Sequence, residues 1–183
     1  MTWCATYTGK KFDYKNLNRD NICIEDIAHA LSQICRFGGH CNRFYSVAEH
    51  SVLLCRFFER QDKDELAKYA LLHDAAEAYV GDMVYPLRCV MPMEHKKLET
   101  TILNLIMSKY GVSFSGDAAS AVEEINMADK RLTQAEAREL NSRWNVDEWH
   151  PQGLHPLSVN IKCWGPFQAK DRFLEAFKQL FTW

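Results

Sequence analysis

The 183-residue chain is 47% apolar and 25% charged, enough to bury one sizeable core but not two full domains, and a mainly disordered state is excluded. Twenty-two Lys plus Arg against 24 Asp plus Glu leave a formal charge of −2, so bulk electrostatics advertises neither a nucleic acid polymer nor an anionic membrane, and an anionic ligand needs a local site. No apolar stretch approaches the roughly 20 residues of a membrane span, and the first residues lack a basic segment followed by an apolar one, which predicts a cytoplasmic protein.

Seven cysteines at 4, 23, 35, 41, 55, 89 and 163 form no CxxC pair, a pattern that fits reduced core thiols better than a disulfide scaffold or a thiolate zinc site. The first twenty residues mix aromatics with turn formers (Tyr7, Thr8, Gly9, Phe12, Asp13, Tyr14) and read as a hairpin or ordered arm. Thr8-Gly9-Lys10-Lys11 lacks the first glycine and the strand-to-helix setting of a phosphate loop.

From Asn21, apolar residues recur at three and four positions (Ile24, Ile27, Ala28, Leu31, Ile34) until Gly38-Gly39 stops the run, which predicts a helix. A second helix spans Val47 to Phe58, with Ser46 as N-cap and Glu49 completing a capping box. A third runs from Asp64 to Val80 and stops at Gly81. Met83 to Pro92, with two prolines, reads as a loop. Glu94 to Lys109 and Asp117 to about Asn141 are further helices. Trp144 to Pro166 reads as a loop with a short strand at Leu157 to Ile161 pairing with the N-terminal hairpin. The last helix, Pro166 to Phe181, has proline in its first turn. The sum is a single all-α domain over residues 1–183, a bundle of about six helices with small peripheral β pieces.

Chemistry concentrates in Leu71-Leu72-His73-Asp74-Ala75-Ala76-Glu77. On a continuous helix His73 and Glu77 share a face. An imidazole and a carboxylate at the end of an apolar helix are costly to bury without hydrogen bonds or a cation, and a divalent metal supplies one. His50 and Asp129, each set in an apolar helical pattern, supply the other half of a shell inside a bundle. Zinc, manganese, iron, cobalt and nickel all accept such ligands.

Taken together, Tyr45-Ser46-Val47-Ala48-Glu49-His50-Ser51, His73-Asp74-Ala75-Ala76-Glu77 through Gly81-Asp82 and Pro86, and Ala128-Asp129 resemble the HD-domain phosphohydrolases. The branch most similar holds the bacterial 5′-deoxynucleotidases and the small phage deoxynucleoside triphosphohydrolases, including those specific for dATP; the likeness runs from about Ile24 to Leu140. It implies an all-helical bundle in which His50, His73, Asp74 and Asp129 bind one catalytic divalent ion (Zn, Mn, Co, Fe, Ni or Mg), with further ions at the phosphates. It also implies that Glu77 transfers a proton or activates water, with Asp74 beside it, and that Asp82 lies near the sugar or a second ion. Arg36-Phe37 stands where relatives carry an Arg and an aromatic, usually Trp. Arg36 reads either as a phosphate grip or as a cap on the preceding helix, and Phe37 as pocket wall or core. Gly38 and Gly39 remove side-chain bulk beside them. His40, Arg88 and Lys130 are candidate phosphate contacts.

The reaction implied is metal-dependent hydrolysis of a deoxynucleotide, with a deoxynucleoside triphosphate such as dATP cut to deoxynucleoside and tripolyphosphate. The alternative is a 5′-deoxynucleotidase acting on monophosphates. A different class of function, a non-catalytic nucleotide-binding or interaction module with a structural metal, would use Trp144, Trp149, Trp164 and Trp183 as a partner surface. The resemblance also implies self-association into a homo-oligomer. His29, His95, His150 and His155 lie off the matched segments and read as surface or packing residues. Ser46 and Ser51 beside His50 do not make a serine hydrolase.

Overall fold

Every residue from Tyr45 to Cys55 is buried in the computed structural model, which describes residues 1–145 and 154–181. A helix buried on all sides belongs in the middle of a bundle, and helix α2 (Val47–Glu59) packs against α1 (Ile24–Gln33), α3 (Asp64–Leu72), α7 (Ala118–Leu140) and α8 (Pro166–Leu180). Ser46 caps it, its hydroxyl accepting from the Glu49 amide at 3.1 Å. The all-α reading holds: α4 (Glu77–Val80), α5 (Tyr85–Val90) and α6 (Met93–Lys109) complete the helices among the described residues.

The small β piece is a hairpin of β1 (Trp3–Ala5) and β2 (Lys11–Asp13), antiparallel with Cys4 opposite Phe12. Asp26, in the first turn of α1, holds its turn, accepting from the Thr8 amide at 2.6 Å and the Thr8 hydroxyl at 2.9 Å. Phe12 stacks on Tyr79 at 3.9 Å, and the Tyr14 hydroxyl donates to the Tyr79 carbonyl at 2.6 Å. The hairpin thereby clamps α4.

Three local expectations are corrected. The helix predicted over 64–80 breaks after Leu72: Ala75, Glu77, Ala78 and Tyr79 bond three residues back rather than four. The His73 ring contributes to the break, because its Nδ1 lies 2.7 Å from the Ala70 carbonyl, the oxygen that a continued α-helix offers to the Asp74 amide. The loop at 83–92 contains α5, whose Pro86 sits at its N-terminus, where proline is tolerated. The strand at 157–161 is absent. At the start of that span Leu157 donates to the Arg131 carbonyl of α7, and just beyond its end the amides of Lys162, Cys163 and Trp164 all donate to the Glu49 carboxylate. That carboxylate is consequently not the reciprocal half of a capping box.

Of the 144–166 loop, residues 146–153, including Trp149 and His150, lie outside the described residues, as does Trp183. Trp164 is buried with the Arg56 guanidinium over its ring, and α8 begins at Pro166 as expected. No helix among the described residues is long and apolar enough to cross a membrane.

Candidate metal centre

Three elements converge on one point. Helix α2 supplies His50, the tight turn after α3 supplies His73 and Asp74, and α7 supplies Asp129. His50 Nε2 lies 3.4 Å from His73 Nε2, 3.1 Å from Asp129 Oδ1 and 3.7 Å from Asp74 Oδ2, and His73 Nε2 lies 3.2 Å from Asp74 Oδ2. An ion with bonds of about 2.1 Å separates adjacent ligand atoms by roughly 3.0–3.4 Å, octahedral or tetrahedral. Three of the observed spacings fall in that range and the fourth, His50 to Asp74, lies above it; His50, His73 and Asp74 form a group that can hold a metal ion, and Asp129 joins it through His50.

The donor chemistry agrees with the spacing. Nδ1 of His73 is taken by the Ala70 carbonyl and Nδ1 of His50 lies 2.7 Å from the Glu136 carboxylate. With Nδ1 as donor in both rings, each Nε2 carries its lone pair into the cluster. Side-chain exposure rises from 0% at His50 through 12% at His73 and 19% at Asp74 to 33% at Asp129, so the site opens to solvent on its carboxylate side.

Electrostatics favours a cation. Burial and the Arg36 charge oppose protonation of His50, but Glu136 and Asp129 outweigh them and lift its pKa to about 9. Burial works against ionisation of Asp74 too, yet His73, His50 and Arg36 hold that carboxyl well below the usual range. Glu77 moves the other way: burial first, then the neighbouring Asp74 and Asp82 charges, raise it well above an ordinary glutamate. In the tightened turn, residues three apart eclipse, which brings Glu77 alongside Asp74 instead of over His73. Glu77 Oε1 is 3.6 Å from Arg88, and its Oε2 is buried without a hydrogen-bond partner among the described residues. Asp82 follows Gly81, which ends α4 as predicted at φ 82°; burial raises it, and Arg36 and Asp74 act on it from nearby.

The Arg36 guanidinium donates from Nε to Glu136 at 3.1 Å and from Nη2 to Thr133 at 3.1 Å, with Nη1 3.7 Å from Asp74. It therefore touches the cluster and does not cap α1. Phe37 is buried under Arg36 and edge-on to Trp144. Phe37, Gly38 and Gly39 form a 3-10 turn with φ values of 56°, 60° and 80°. A Cβ at Gly38 would meet only ordinary contacts and one at Gly39 nothing within 4 Å, so backbone conformation rather than bulk calls for glycine here. Gly39 and His40 are exposed.

Two proposed phosphate cations are placed differently from expectation. Arg88 is paired with Glu77 and, at 3.3 Å, with Glu99. Lys130 is exposed in a shallow groove on α7 with Val122, Asn126 and Met127, and no cluster residue lines that groove. One helical step from Asp129 rotates the side chain by about 100°. Sequence reasoning missed Glu136, fully buried, and the role of Tyr45, whose hydroxyl donates to Glu136 at 2.6 Å. The available signal was an acid seven residues after Asp129, on the same face of α7.

No protein-family model matches the chain. It is similar to the uncharacterized protein YfdR of Escherichia coli, 36% identical over 184 positions that cover 98% of this chain and 96% of that protein. An uncharacterized protein of Rhodobacter capsulatus is 31% identical over 115 positions, covering 60% of this chain and 59% of that relative.

Proposed function

The chain belongs to the family of YfdR, and for it we propose a metal-dependent phosphohydrolase activity on deoxynucleotides. One observation carries the reading: two imidazoles with Nδ1 engaged and the Asp74 carboxylate lie at ion-ligand spacing, Asp129 adds a second carboxylate at His50, and beside them sits a buried acid with an oxygen unpartnered among the described residues. The resemblance to the HD-domain phosphohydrolases supports the same reading.

The residues fit a divalent ion. Asp74, Glu77, Asp82, Asp129 and Glu136 are five carboxyl groups against the guanidiniums of Arg36 and Arg88. A phosphate ester would be repelled from so acidic a site without added positive charge. An ion held by His50, His73, Asp74 and Asp129 supplies that charge and lowers the pKa of water. Whether it is Zn, Mn, Co, Fe, Ni or Mg is left to the assay.

The chain's own groups complete the step. Glu77, buried with an Oε2 that has no partner among the described residues, is suited to orient the attacking water and take its proton. Attack on the α-phosphorus of a deoxynucleoside triphosphate breaks the bond to the sugar oxygen and yields deoxynucleoside and tripolyphosphate. The resemblance puts Asp82 near the sugar, and Phe37 backs the Arg36 side chain.

A 5′-deoxynucleotidase, releasing inorganic phosphate from a monophosphate, is the second reading. It is favoured by the commitment of Arg36 and Arg88 to acidic partners and the place of Lys130 in a groove lined by no cluster residue, which leave few cations for outer phosphates. The test is a screen of deoxynucleoside and ribonucleoside mono- and triphosphates with Mn, Co, Zn or Mg, with chromatographic product identification. Tripolyphosphate supports the first reading and inorganic phosphate the second; no turnover with any pair overturns both.

A further inference from the structure

A ring of polar contacts runs behind the ligating face and closes through it. His50 Nδ1 meets Glu136 Oε1 at 2.7 Å, and Glu136 Oε2 accepts from Arg36 Nε at 3.1 Å. Arg36 Nη2 donates to Thr133 Oγ1 at 3.1 Å, Thr133 Oγ1 donates to Asp129 Oδ1 at 3.3 Å, and Asp129 Oδ1 returns to His50 Nε2 at 3.1 Å. Asp129, Thr133 and Glu136 fall on one face of α7 by their spacing of four and three, while His50 and Arg36 come from other segments. The Tyr45 hydroxyl adds another donor to Glu136 Oε1 at 2.6 Å.

We propose that this ring presets the metal ligands: Glu136 fixes the tautomer and rotation of His50, Thr133 fixes Asp129, and Arg36 ties the two together. Arg36 is then a positioning residue for the ion and not a grip on the substrate's outer phosphates. The inference rests on the metal-dependent reading above and assigns parts of it to residues that do not touch the ion. Arginine suits the place because its planar fork directs several donors at fixed angles, whereas lysine offers one compact charge. Glu136 receives Tyr45, His50 and Arg36 on two oxygens, so its carboxylate cannot rotate without breaking contacts to separate segments. Removing such an outer partner of a ligating histidine typically costs about 10–100-fold in metal affinity.

The experiment is a titration of Mn²⁺ or Zn²⁺ alone against a chromophoric chelator, on the full chain and on Glu136→Gln, Arg36→Lys and Thr133→Val. Melting of each metal-free variant and KM at saturating ion are measured in parallel. The ion's Kd is expected to rise about 10–100-fold in Glu136→Gln and Arg36→Lys, with KM little changed. The double variant Glu136→Gln with Thr133→Val should lose less than the sum of the single losses in free energy, as members of one network do. Variants that melt like the wild type and keep its Kd overturn the proposal. So does an Arg36→Lys protein that binds the ion normally but shows a raised KM, which returns Arg36 to the phosphates. Should Glu136→Gln fail to fold, Thr133→Val and Tyr45→Phe, each deleting a single hydrogen-bonding hydroxyl, carry the same test. Wild-type protein that binds the ion in this ring-dependent way but hydrolyses no nucleotide refutes the proposed reaction and supports the ring. Wild-type protein that binds neither ion overturns both.

Discussion

Glu49 is a fully buried acid next to His50 in sequence, and its expected role is to hold the chain after α7 onto α2. Its Oε1 accepts from the Lys162 and Cys163 amides at 2.7 and 3.1 Å, and its Oε2 from the Trp164 amide at 2.6 Å. In Glu49→Gln the amide oxygen retains the first two donors, but the amide nitrogen then faces the Trp164 N–H. One charge-assisted bond is lost, about 1.5–3 kcal/mol, and a buried donor is orphaned, about 1–3 kcal/mol. Relief of the desolvation that raises the Glu49 pKa returns part of this, so about 2–4 kcal/mol is expected in net destabilisation. Glu49→Ala orphans all three amides and should cost about 4–6 kcal/mol. The assay is urea unfolding with unchanged m-value, with hydrogen exchange at 162–164 as a local readout. Glu124→Gln, which removes an exposed pair with Lys63, serves as the reference at no more than about 1 kcal/mol. A Glu49→Gln protein within about 0.5 kcal/mol of wild type would refute the latch.

Four further outcomes are expected. A divalent ion at 100 times its Kd should stabilise the fold by about 2.7 kcal/mol, a rise in Tm of roughly 5–11 °C for a chain of this size; Asp74→Ala should show no such rise in a thermal melt. Glu77→Gln should keep the ion but lose about 10²–10⁴-fold in kcat, and single-turnover kinetics with normal rates would remove Glu77 from proton transfer. Gly39→Ala, at φ 80°, should cost about 1–2 kcal/mol in chemical denaturation, while Gly116→Ala, with no positive φ and open space at its Cβ, should cost far less. Lys130→Ala should leave KM unchanged in steady-state assays, since its groove on α7 contains none of the cluster residues.

Local pattern was enough for the elements whose burial has one period. The α2 stretch with its Ser46 cap, the stop at Gly81 and the proline start of α8 follow from residues within a turn of each other. Long-range competition was not legible. The capping box at Ser46 and Glu49 looked complete, but Glu49 found three donors more than 110 residues away. The helix over 64–80 carries no proline or glycine before Gly81, so its tightening after Leu72 depends on a His73 side chain competing for a backbone carbonyl. Of the candidate site, His50, His73, Asp74 and Asp129 were readable as polar residues in apolar runs. Glu136 obeyed the same rule on α7, between buried Leu132 and Leu140; it lacked only a motif to single it out. The commitment of Arg36 depends on partners 97 and 100 residues distant and left no local trace.

The energetics of this polar layer bear on what it is for. The Glu136 carboxylate, an arginine and a histidine at 0–12% exposure behind Asp74 and Asp129 carry desolvation costs that their mutual attraction only roughly offsets. Well-packed apolar residues in such positions often give a fold at least as stable. Stability therefore does not account for Arg36 and Glu136 in the middle of the bundle. Orientation does: a ligand set drawn from three separate elements must be held within about 0.5 Å to bind an ion well, and apolar packing fixes the position of a histidine ring but not which nitrogen carries the proton. A buried carboxylate at Nδ1 fixes both. The polar layer is accordingly placed where it can set the chemistry of His50 and Asp129, at a cost the apolar residues around α2 are numerous enough to offset.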